Sequence, residues 1–113
     1  MLKIYHYPRC RVSRAGMQVL IDKKVDFEIR KYITEPLSVE EIKILLTKLN
    51  LPASEVIRTS EEVYKKKFKN KKFNNDEWIS IMIEFPKLIK RPIIESDYKA
   101  VIGEKKENII NLL

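Results

Sequence analysis

The chain of 113 residues holds one cysteine, one histidine and one tryptophan, and the scarcity of the first bounds its chemistry. A lone thiol closes no intramolecular disulfide, which excludes the stapled scaffolds of secreted proteins and fits a reducing compartment. Any thiol that resolves an oxidised form of this cysteine must come from another molecule. No stretch approaches the ~18 consecutive apolar residues of a membrane span, and the N-terminus enters a strand pattern without a charged-then-apolar leader, so a soluble, cytoplasmic protein is expected. Repeats, linkers and low-complexity segments are absent too. The length and the 44% hydrophobic content predict one domain over 1–113 with a modest core.

Positive charge is abundant. The formal net charge is +7, concentrated in Lys65-Lys66-Lys67, Lys69 and Lys71-Lys72 with Phe68 and Phe73 interleaved. Basic and aromatic residues in alternation are a weak nucleic-acid signal; the run reads better as a solvated helix end and loop, and no nucleic-acid partner is expected.

Hydrophobic periodicity orders the elements. Leu2-Lys3-Ile4-Tyr5 alternates as a short strand, Val12, Ala15, Gly16, Val19 and Leu20 fall at helical spacing, and Val25 to Arg30 alternates as a second strand. This βαβ unit predicts a parallel, right-handed pair. Ser38-Val39-Glu40-Glu41 is a capping-box sequence; it opens a helix whose apolar face is Val39, Ile42, Leu45, Leu46 and Leu49, ended by Asn50 and Pro52. Short helices are expected around Val56-Ile57 and Val63-Tyr64. Asn75-Asp76 caps a further helix carrying Trp78, Ile79, Met82 and Ile83, closed by Pro86. Pro92-Ile93-Ile94 and Ala100-Val101-Ile102 read as a hairpin, and a last helix uses Ile109, Ile110, Leu112 and Leu113. The fold class is therefore α/β: a thioredoxin-like fold with a mixed four-stranded sheet and a helical insertion at about 36–88.

Cys10 lies at the first strand-to-helix junction, in His6-Tyr7-Pro8-Arg9-Cys10-Arg11-Val12-Ser13-Arg14. There the unpaired N–H groups of the first helical turn and the positive end of the helix dipole favour thiolate, the nucleophilic form. Arg9, Arg11 and Arg14 surround the thiol, and Ser13 stands where a C-x-x-C motif would carry its second sulfur. A buried structural cysteine seldom has such neighbours, so the stretch reads as a site that lowers the thiol pKa and receives an anion.

His6-x-x-x-Cys10-x-x-Ser13-Arg14, Tyr32, Glu35-Pro36, Ile57-Arg58-Thr59 and Phe85-Pro86-x-Leu88-Ile89-x-Arg91-Pro92-Ile93-Ile94 together resemble the glutaredoxin-coupled arsenate reductase family, ArsC. Through the same signatures the chain is similar to the Spx-type transcription regulators, which share the fold and bind RNA polymerase. The resemblance to the reductases implies that Cys10 attacks arsenate to give a thiol-linked adduct, that Arg58 and Arg91 bind the oxyanion, and that Ser13 and Arg14 close the first helical turn around it. It matches His6 to a histidine that helps keep the cysteine ionised, while a structural, hydrogen-bonded role for His6 stays equally open. It places a cis peptide before Pro92, beside the cysteine, and implies glutathione or glutaredoxin as external reductant, with no bound cofactor and no metal. Arginine suits such an anion because its fork makes paired, charge-assisted hydrogen bonds. Five residues separate Cys10 from Gly16, which stands where the C-x5-R loop of the phosphatase-type reductases carries its arginine and so excludes that loop. Glu104 occupies the place of the family's third arginine, and a solvent-facing position in the first turn of the last helix is expected for it. The other reading open to the sequence is a non-enzymatic regulator of the Spx type or a general thiol-redox protein.

Overall fold

The computed structural model describes residues 1–113. They form two compact units: Met1–Glu35 together with Arg91–Leu113, and Pro36–Lys90.

The first unit is a four-stranded sheet with two helices. Strands β1 (Leu2–Tyr5), β2 (Phe27–Arg30), β3 (Ile93–Glu95) and β4 (Ala100–Ile102) lie in the order β2-β1-β3-β4. As the βαβ pattern predicted, β1 and β2 are parallel, with Ile4 opposite Ile29. Strand β3 runs antiparallel to β1, with Ile94 opposite Ile4, and pairs with β4 as a hairpin, with Val101 opposite Ile94. The sheet is thus mixed, as expected. Helices α1 (Arg11–Asp22) and α5 (Lys106–Leu112) pack on each other. Because strand side chains alternate between faces, Ile4 of β1 and Ile94 of β3 share one; with Leu20 of α1 and Ile109 of α5 they make a fully buried cluster. On the other face the Tyr5 hydroxyl donates to Glu95 Oε1 at 2.7 Å.

Three boundaries differ from the sequence reading. The buried face of α1 is Ser13, Gly16 and Leu20, while Val12 is 37% exposed, so the stripe is rotated toward the polar Ser13. Strand β2 starts at Phe27, because Lys24 takes a left-handed conformation (φ 57°) and Val25 N–H turns back to the Leu20 carbonyl. In α5 only Ile109 is buried; Ile110 and Leu113 are exposed.

The second unit contains α2 (Val39–Leu49), α3 (Glu62–Lys67) and α4 (Asn75–Glu84), with 3-10 turns at Ala53–Val56 and Pro86–Leu88. The Ser38 capping box is formed: Ser38 Oγ accepts from Glu41 N–H and Glu41 Oε1 from Ser38 N–H. Asn50 ends α2 in the left-handed region, φ 56°. Helix α4 is capped by Asn74 rather than by Asn75-Asp76. The reason is spacing: Glu77 lies three residues beyond Asn74 and returns the hydrogen bond, while Asn75 Oδ1 accepts from Ala53 N–H. Ile42, Leu45 and Leu46 of α2 and Trp78, Ile79 and Met82 of α4 are buried, and the two helices are in contact. The phenylalanines of the basic run pack with other rings: Phe68 meets Phe73, Trp78 and Phe85 at 5.6–6.3 Å between centroids. No helix in the chain is long and apolar enough to cross a membrane.

Candidate functional site

Cys10 is the N-cap residue of α1, with extended backbone (φ −91°, ψ 125°). A tight turn delivers it, with Cys10 N–H donating to the Tyr7 carbonyl at 3.0 Å, and its own carbonyl accepts the first helical bond, from Arg14 N–H. The half-buried thiol is the chain's free cysteine. Burial is the largest single influence on its pKa and acts upward. Donation and positive charge from the Arg91 guanidinium and the backbone N–H groups of Ser13 and Val12 act downward and prevail, so the pKa lies below the ordinary thiol value. The thiol makes no capping hydrogen bond of conventional geometry; the N–H groups act on it as the oriented dipoles of a helix start.

Arg91 comes from the far end of the chain, just before β3. It is 6% exposed, and its guanidinium carbon sits 4.5 Å from the centroid of the Tyr7 ring. Tyr7 in turn meets Tyr32 edge-on, at 6.4 Å and 84°. A stacked cation of this kind is held by about 0.5–2 kcal/mol, depending on desolvation. The Arg91–Pro92 peptide is cis.

Ser13 is fully buried. Its hydroxyl oxygen accepts from Tyr7 N–H at 2.9 Å and lies 2.7 Å from His6 Nδ1. Burial first, and then the charges of Lys31 and Arg14, push the His6 pKa down from its ordinary value, so the ring is neutral at pH 7. A neutral ring with Nδ1 unprotonated accepts from the Ser13 hydroxyl, whose oxygen in turn accepts from Tyr7 N–H. Neutral His6 supplies no positive charge to the thiolate; the groups that favour it are Arg91 and the helix N–H groups. The hydroxyl of Ser13 serves the loop, while its backbone N–H serves the sulfur.

Arg14 is exposed and donates to the Pro8 carbonyl at 2.9 Å, closing the loop, in which Arg9 is exposed too. Arg58 belongs to the other unit. Its backbone is fixed where Ile57 bridges Ile89 and Arg58 N–H donates to the Leu88 carbonyl, and its side chain pairs with Glu61, Nε to Oε1, at 3.4 Å. Glu104 is exposed in the turn before α5, whose N-cap is Lys105. It faces solvent as expected, but one residue ahead of the cap rather than inside the first turn.

The sequence reading missed Tyr7 as the platform for Arg91, Lys31 as a charge on His6 and Glu61 as the partner of Arg58. Of these only Tyr7 left a signal, an aromatic residue set in a loop otherwise rich in arginine. No group of His, Cys, Asp and Glu side chains is arranged to hold a metal.

A helix N-terminus bearing a thiol after the first strand, with an antiparallel strand pair returning through Arg91-Pro92, defines a thioredoxin-like fold of the arsenate reductase kind. A model of the ArsC family matches residues 5–112, and the chain belongs to that family. It is 33% identical over 110 residues to an arsenate reductase of Neisseria meningitidis, covering 96% of this chain and 94% of that one. The structure of an arsenate reductase from Vibrio cholerae superposes with a TM-score of 0.92 at 32% identity, over 99% of this chain and 97% of that one. The chain is also 29% identical over 112 residues to the regulatory protein MgsR of Bacillus subtilis, covering 98% of this chain and 89% of that one.

Proposed function

We propose that the protein is a thiol-dependent oxyanion reductase of the arsenate reductase type. The Cys10 thiolate displaces an oxygen from arsenic, which leaves as water after protonation, and forms a sulfur–arsenic bond. A thiol from solution, glutathione in the family pattern, attacks the Cys10 sulfur; a disulfide forms, the sulfur–arsenic bond breaks with its electron pair on arsenic, and arsenite leaves two electrons richer. A second thiol, from glutaredoxin or glutathione, exchanges with the mixed disulfide and frees Cys10. Arg91 holds the oxyanion beside the sulfur, Arg14 adds charge at the loop mouth, and Arg58 is the second arginine of the family pattern.

The observation that carries the reading is the guanidinium of Arg91 acting directly on Cys10. One buried fork then serves both the thiolate and the anion that approaches it. The test follows NADPH oxidation with glutathione, glutathione reductase, glutaredoxin and arsenate. Activity should be abolished in Cys10→Ser and fall by at least about tenfold in Arg91→Ala and Arg58→Ala, as the loss of one charge-assisted contact predicts. Disulfide reduction that ignores arsenate would replace the reading by a general thiol-redox one.

The likeness to MgsR favours a second reading, a regulator that binds RNA polymerase. It is supported further by Glu104 in place of the family's third arginine, since a site with fewer cations is weaker as an arsenate site. An inactive protein that co-purifies with polymerase would establish it.

A further inference from the structure

The helical unit contains a cavity that the chemistry of Cys10 does not use. It has a volume of 390 Å³ and is walled by Ile57, Tyr64, Lys71, Lys72, Phe73 and Trp78, within the size range of small-molecule sites. One side is apolar and braced. Ile57 and Trp78 are 3% and 7% exposed, and Trp78 is locked edge-to-face against Phe73 at 4.9 Å. The lining also carries two cations. Lys71 and Lys72 follow the left-handed turn at Asn70, φ 65°, and both are exposed. Ser54 and Thr59 add hydroxyls to the lining, and no carboxylate is present to neutralise the lysines. The larger cleft nearby, of 620 Å³, selects nothing comparable, because its charged lining residues, Lys43 and Asp76, have opposite signs.

We propose that this cavity binds a small aryl phosphate monoester, its ring against Trp78, Phe73 and Ile57 and its phosphate between Lys71 and Lys72. Two ammonium groups without a competing acid match the double charge of a phosphate monoester, and the hydroxyls of Ser54, Thr59 and Tyr64 are donors for its oxygens. The braced aromatic wall accepts a flat ring with little ordering cost. An inorganic anion leaves that wall uncovered, and a neutral ring leaves the lysines unpaired. The ligand therefore needs both parts joined.

Trp78 is the only tryptophan, so its fluorescence reports on the cavity directly. Phenyl phosphate is the probe, with inorganic phosphate and phenol as its separate halves. Phenyl phosphate should change Trp78 emission saturably, with an affinity at least about tenfold above either half. The Lys71→Glu/Lys72→Glu variant, shown folded by circular dichroism, should bind at least about tenfold more weakly, and the milder Lys71→Gln should fall between it and wild type. Cys10→Ser should bind as wild type does, which separates this site from the one in the sheet unit. The proposal is overturned by the absence of a saturable response, by inorganic phosphate binding as well as the ester, by lysine variants that bind unchanged, or by loss of binding in Cys10→Ser.

Discussion

The side chains around Cys10 divide into those that act on the sulfur and those that hold the loop, and substitutions should separate the two. Removing the guanidinium in Arg91→Ala should raise the Cys10 pKa, since burial then acts with less opposition; alkylation rate against pH, which should place the wild type below the ~8.5 of a free thiol, reads the change. Ser13→Ala belongs to the other class. It strips partners from Tyr7 N–H and His6 Nδ1 and should cost about 1–3 kcal/mol in denaturant unfolding. His6 also makes a pH prediction. Its folded pKa is depressed, so below about 6.5 the unfolded chain binds the proton that the folded protein resists, and stability falls with pH from there down to the folded pKa. His6→Asn should flatten that part of the profile. The position of Cys10 was legible in the sequence because a strand, a turn and a helix start are local patterns. The tie between His6 and Ser13 was not, because it depends on the rotation of α1 that buries position 13. Nor was the seat of Arg91 on Tyr7, which joins residues from opposite ends of the chain.

Whether a contact between elements was readable depends on how far apart in the chain its partners lie. Caps and alternation are written within a few residues, so the Ser38 box and the pairing of β1 with β2 followed from the sequence. The choice between Asn74 and Asn75 as the cap of α4 turned on the reciprocal bond from Glu77, which a reading from the first Asn-Asp pair overlooks. In α1 the sequence reading placed Gly16 and Leu20 correctly but took Val12 and Ala15 for the buried face in place of the polar Ser13; Gly16 belongs to that face by its absence of bulk. A Cβ there would lie 2.5 Å from Pro92 Cγ and 3.5 Å from Ile109 Cδ1. Gly16→Ala gains about 1 kcal/mol of helix propensity, but overpacking against a ring that cannot swing away costs about 1–3 kcal/mol. The denaturant midpoint should therefore fall. Helix α5 is anchored by the buried side chain of Ile109, with Leu112 partly buried against the same cluster, so Ile109→Ala should cost about 2–5 kcal/mol and speed hydrogen exchange throughout that helix.

For the molecule as a whole, the net charge of +7 becomes specific through the exposed Arg9, Arg11 and Arg14 around the thiol. Anionic reagents should be drawn in, and salt should screen the attraction. The reaction of Cys10 with a dianionic aromatic disulfide should slow as ionic strength rises, while that with a neutral pyridyl disulfide should stay flat; equal salt dependence would show that the arginines do not steer. The sheet unit is also discontinuous along the chain, closed by residues that come after the whole of Pro36–Lys90. During synthesis on the ribosome, Cys10 leaves the exit tunnel long before Arg91, and β1 has only β2 to pair with until β3 follows. Through most of translation the nascent thiol thus has at most the N–H groups of its own helix start to lower its pKa, and the guanidinium of Arg91 joins them only after the whole of Pro36–Lys90 has been made.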